Sequence, residues 1–158
     1  MALTNTPKIT SQVLRFCHEI RPGVSPIPIR IQPETGATPS DCFNNVRLLV
    51  SMIGGRIQFG WVIWEWPDVL LEAEHHAVFD PGNGKPLRDI TPSSEPDISR
   101  RLFLPDESAV YDFENEGFRR DNIRRALNDD SRIQEFIQLA QTHNEILNFL
   151  NKDKNIAI

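Results

Sequence analysis

Three residue types that do acyl-transfer chemistry occur in one part of this 158-residue chain: Cys42, His76 and Asp89. A thiol becomes a good nucleophile when a neighbouring imidazole takes its proton. The imidazole works best when a carboxylate fixes its tautomer and orientation. The stretch Glu74 to Pro92 reads as a β-hairpin, with apolar and β-branched residues on either side of Pro81-Gly82-Asn83-Gly84. Folding it so that Asp80 faces Lys85 puts Val78 opposite Leu87 and His76 opposite Asp89. Directly opposed side chains share a face with Cβ atoms about 5 Å apart, so this register predicts a His76–Asp89 hydrogen bond. His75, the neighbouring imidazole, falls on the other face with Ala73, Ala77 and Phe79, and one bulge would exchange the two histidines.

The thiol needs an element of its own. Residues 38–55 read as a punctuated helix: Thr38 as N-cap, Pro39 in the first position, Asp41 completing a capping box, and Gly54-Gly55 at the end. Phe43, Val46, Leu49, Val50 and Ile53 make its apolar face. Cys42 then lies in the first turn, where unpaired N–H groups and the positive end of the helix dipole favour a thiolate. Those N–H groups, with Gln32, Asn44 and Asn45 as alternative side-chain donors, are candidates for holding an oxyanion. Cys17 reads instead as a small buried thiol on the apolar side of a helix over 9–20, capped by Thr10 or Ser11.

Around these lie the elements that must position them. Residues 21–39 are proline-rich, with Ile27, Ile29 and Ile31 alternating as a short edge strand. Arg56 to Trp66 alternates as a central strand, and three Trp residues there read as core. A strand over 69–79 follows, then the return strand over 86–91. Short strands are predicted at 101–104 and 110–113, one helix over 118–127, and a second from Asp130 or Ser131 carrying Ile133, Phe136, Ile137, Ala140, Leu147 and Leu150 on one face. Residues 1–7 read as a loose leader and 152–158 as a fraying tail. The fold class is α+β: a Cys-bearing helix packed on a mostly antiparallel sheet, with a C-terminal helical pair. One domain spans 1–158, with a core at 8–113 and a helical extension at 114–158.

Composition narrows the function. With 39% hydrophobic and 25% charged residues and a net charge of −5, the chain is an ordinary globular one. It is a poor match for a phosphate backbone. Arg100-Arg101, Arg119-Arg120 and Arg124-Arg125 read as salt-bridged surface. No apolar run approaches the about 20 residues of a membrane span, and no signal peptide is apparent. Two cysteines without a Cys-x-x-Cys argue against a disulfide scaffold or a four-thiolate zinc site, and point to a cytoplasmic home. No cofactor is implied.

The pattern Cys42-Phe43-Asn44-Asn45-Val46, Gly60-Trp61, His76-Ala77-Val78 and Asp89-Ile90-Thr91-Pro92 resembles the papain-like and transglutaminase-like cysteine enzymes, including small bacterial members. The resemblance covers about residues 37–92. It implies a papain-like fold and cleavage or transfer at an amide-like bond, with Cys42 as nucleophile, His76 as base then acid, and Asp89 as orienter. The substrate would be a peptide, a protein or a small amide. Two other readings stand beside it: an interaction module that keeps the fold without chemistry, and a zinc site drawing on His75, His76, Cys42 or Asp89.

Overall fold

The computed structural model describes residues 4–115 and 118–154. Their order is α1 (Ser11–Ile20), β1 (Ile27–Arg30), α2 (Cys42–Ile53), β2 (Arg56–Trp66), β3 (Leu70–Asp80), β4 (Arg100–Pro105), β5 (Ile123–Ala126) and α3 (Ser131–Lys154). The strands form one sheet in the order β1-β4-β2-β3-β5, every neighbouring pair antiparallel. The architecture is α+β, with three helices, one of them C-terminal. No helix among the described residues is long and apolar enough to cross a membrane.

The centre is the pairing of β2 with β3, from Arg56 opposite Asp80 to Trp66 opposite Leu70. The turn between them holds Asp68 at φ 61°, a left-handed conformation that Asp tolerates better than most residues. Alternation along both strands sorts their side chains. Trp61, Ile63, Leu71 and Ala73 meet Val13, Phe16 and Cys17 of α1. On the same face Ala77 and Phe79 meet Phe43, Val46 and Leu49 of α2. Val62 and Val78 turn the other way, towards Ile29 and Phe103. Near the end of that second face Leu70 takes Ile133 and Ile137 of α3.

Gly60 marks a close approach of β2 and β4. A Cβ there would stand 2.2 Å from the Leu104 carbonyl oxygen and 2.6 Å from the Phe103 ring. Both neighbours are fixed in a packed sheet, so Gly60→Ala is expected to lower stability by about 1–3 kcal/mol, the usual cost of overpacking. Urea denaturation reads this directly.

Several sequence expectations change. The hairpin is wider than predicted. Its returning chain makes one bridge, Phe79 with Arg88, and Asp89 then pairs in parallel with Ile31 of the segment after β1. Pro81 and Pro86 have no N–H to give a ladder, so Asp80 and Lys85 do not pair and no strand forms over 86–91. The offset is two residues, which preserves the face of every side chain. The helix predicted over 118–127 is instead β5, which pairs with the open edge of β3 at Leu70–Ala73. The expected C-terminal helical pair is therefore a single helix, α3. Residues 110–113 form no strand; Asp112 turns the chain by accepting the Glu114 N–H at 3.0 Å. The leader is not loose throughout, because Asn5 exchanges two backbone hydrogen bonds with Glu65, at 2.7 and 2.8 Å. Residues 1–3 and the tail residues 155–158 lie outside the described residues.

Candidate active site

Cys42 is the first residue of α2. The N-cap is Asp41, not Thr38, because Ser40 at φ 61° breaks helical continuity after Pro39. The predicted capping box is absent: the Asp41 side chain makes no cap bond and accepts from Asn44 Nδ2 at 3.0 Å. The first helical bond runs from the Asn45 N–H to the Asp41 carbonyl. Cys42 thus presents an N–H with no helical carbonyl behind it.

Asn45 sets where that turn sits. Its amide accepts the Thr38 N–H at 2.9 Å and donates to the Thr38 carbonyl at 2.8 Å and to Thr91 Oγ1 at 3.1 Å. One buried side chain therefore ties the approach to the Cys42 helix to the segment that follows Asp89. Asn45→Ala leaves these buried groups unpaired and is expected to cost about 1–3 kcal/mol, more than Asn44→Ala, by chemical denaturation.

His76 Nε2 lies 2.9 Å from Asp89 Oδ2, and Cys42, which lines the same cleft, acts electrostatically on the His76 ring. With Nε2 committed to Asp89, Nδ1 is the nitrogen left for the thiol. Cys42, His76 and Asp89 are 7%, 5% and 0% exposed, so electrostatic interactions among them act in a poorly solvated place. Burial alone would pull the His76 imidazole down. The Cys42 thiolate, then the Asp89 carboxylate and its hydrogen bond, outweigh burial and push it up to about 10. Burial would likewise raise the Asp89 carboxyl, but His76 and then Arg101 hold it below the usual carboxylate range.

Arg101, on β4, is the residue the sequence reading missed. Pairing with Arg100 in sequence reads as salt-bridged surface, yet Arg101 is buried and its Nη1 donates to the same Asp89 Oδ2 that His76 uses. Asp89 Oδ1 accepts the Thr91 N–H at 3.0 Å. Asp89 is thereby held by three donors. The available signal was the alternation Arg101-Leu102-Phe103: Arg101 shares a face with Phe103, whose ring is fully buried. The other basic clusters divide. Arg124 and Arg125 are salt-bridged as expected, to Glu72 and Glu19, whereas Arg120 donates to the carbonyls of Val110 and Ser108.

His75 is built into the core. Its Nε2 is 2.5 Å from the Ala109 carbonyl, and its ring packs between Phe43 and Trp61 at 4.8 and 5.3 Å. Burial, only partly offset by that carbonyl, lowers its pKa and keeps it neutral. The two adjacent histidines are thus committed to different partners. Among the described residues no group of three or more His, Cys, Asp or Glu is arranged to hold a metal ion.

Cys42 and His76 open onto a cleft of about 440 Å³, whose walls include Phe43, Trp64, Ile98 and Arg119. Gln32 is not there; it lines a separate hollow near β1. The Asn44 and Asn45 amides are engaged in the bonds described above. Of the donors considered from sequence, the backbone N–H groups of the first α2 turn belong to residues, Cys42 and Phe43, that line the cleft. The arrangement can deprotonate a thiol, hold the imidazolium that results, and admit a small acyl group. No protein-family model matches the chain, and no curated protein or solved structure matches it either.

Proposed function

We propose that this protein is a thiol-dependent hydrolase or acyltransferase acting on an amide-like bond, related to the papain-like and transglutaminase-like enzymes. The observation that carries the reading is one buried imidazole hydrogen-bonded to a buried carboxylate and electrostatically coupled to a helix-N-terminal thiol, at the wall of a cleft. His76 Nδ1 takes the Cys42 proton, and the sulfur adds to the substrate carbonyl carbon. The carbonyl π electrons move to oxygen, and the Cys42 N–H stabilises that oxyanion. As the tetrahedral adduct collapses, His76 passes its proton to the departing amine, leaving an acyl thioester on Cys42. Water or a second amine then attacks the thioester, with His76 accepting its proton and returning it to sulfur. Asp89 stays ionised and keeps Nε2–H fixed, so that Nδ1 always faces sulfur. Arg101 Nη1 holds the same Asp89 oxygen, 3.4 Å from His76 Nε2.

The substrate would be a peptide, a protein side chain or a small amide, met in the cytoplasm. An activated ester tests the chemistry without knowing which. Mixed with p-nitrophenyl acetate, the protein is expected to release a burst of about one equivalent of nitrophenolate and carry the acetyl group on Cys42, as ping-pong acylation requires. Acetylation confined to lysines, with no burst, would remove the proposal.

A further inference from the structure

The hollow near β1 is independent of the Cys42 cleft. It occupies about 800 Å³ between the edge strand β1, the C-terminal end of α2 and the loop over 81–88. Four cations line it, Arg30, Lys85, Arg88 and Arg100, and no acid does, in a chain whose net charge is −5. Arg30 and Arg100 stand directly opposite each other in the β1–β4 pair, an arrangement that repels. Neither they nor Lys85 has an ion-pair partner among the described residues. Arg88 gives Nη2 to Glu34 at 2.9 Å, but its buried Nε has no hydrogen-bond partner. The end of α2 contributes only about half a negative charge to this side. Between the cations the wall is apolar, including Ile53, which is 63% exposed, Ile27, which is 38% exposed, and Leu87.

We propose that this hollow binds a small organic oxyanion carried on an apolar body. The anion would sit between Arg30 and Arg100 and relieve their repulsion, with Lys85 as a further cation on the wall. The apolar body would cover Ile27, Ile53 and Leu87. The volume suits a ligand of ordinary small-molecule size.

Calorimetry with phenyl phosphate, inorganic phosphate and benzyl alcohol tests this on the whole protein. Phenyl phosphate is expected to bind saturably, and about tenfold more tightly than either fragment, because each lacks one half of the match. The double variant Arg30→Gln with Arg100→Gln is expected to weaken phenyl phosphate by about tenfold or more. It should fold at least as stably as the parent without ligand, since it removes a like-charge pair. Cys42→Ala should leave the binding unchanged. The proposal is overturned by no saturable binding of phenyl phosphate at about 10 mM, by binding that survives the double variant, or by binding lost in Cys42→Ala, which would place the ligand in the other cleft.

Discussion

Replacing Asp89 with Ala is expected to destabilise the fold by about 3–5 kcal/mol, the range seen when one partner of a buried charge pair is removed. Asp89 is fully buried and satisfies three donors: His76 Nε2, Arg101 Nη1 and the Thr91 N–H. Truncation leaves the Arg101 guanidinium, itself 7% exposed, without its counter-ion. The loss should therefore shrink when the charge is removed too, so Asp89→Ala combined with Arg101→Met should be more stable than Asp89→Ala alone. Asp89→Asn keeps the volume and an acceptor, so its stability cost should be smaller. Its acylation rate should still fall by about 10²–10⁴-fold, because the imidazolium loses its stabilising charge. Urea denaturation of the three variants, beside nitrophenolate release, separates the two roles. A loss under about 1 kcal/mol for Asp89→Ala would mean that Asp89 and Arg101 are solvated like an ordinary surface pair.

His76 carries the second large effect. His76→Gln should reduce the acylation burst rate by about 10²–10⁴-fold through loss of the general base. It should also change how stability depends on pH. The imidazole titrates at 6.5 when unperturbed and is pushed up to about 10 in the fold. A raised value means that the folded chain holds the proton more tightly. The resulting stabilisation is fully present below about pH 6.5 and is lost as pH rises through about 10. The stability advantage of the parent over His76→Gln should thus shrink steadily across that window. Cys17, pushed up to about 11 by burial, adds its own alkaline destabilisation, but equally to both proteins. A parent–variant difference that stays constant from pH 6.5 to 10 would contradict the assigned shift.

Much of the frame was legible because periodicity and punctuation agreed. The Arg56–Trp66 alternation predicts β2, residue for residue, and the 3–4 spacing of Phe43, Val46 and Leu49 gives the buried face of α2. Face assignment survived an error in register: the returning chain at Arg88 is offset by two residues, and an even offset leaves Asp89 on the His76 side. What failed was non-local. Ile123 to Ala126 carries too few apolar residues to distinguish helix from strand, and the open edge of β3 decided the matter. Thr38 and Pro39 carry strong capping signals, but the left-handed Ser40 moved the helix start to Cys42. The burial of Arg101 depended on Asp89, 12 residues away in sequence and on another element, and composition read it as surface. Gln32 failed for a similar reason, since β1 and its following loop carry it to the far hollow.

The central claim is that His76 activates the Cys42 sulfur. Iodoacetamide alkylation near neutral pH, with the modified residue mapped by mass spectrometry, tests it most directly. Cys17 serves as the internal control, being fully buried with its thiol pushed up to about 11. Cys42 is expected to alkylate readily at about pH 6.5 while Cys17 does not, and His76→Ala should slow Cys42 by about 10²-fold. Alkylation of Cys42 no faster than Cys17, or unchanged by His76→Ala, would contradict the account.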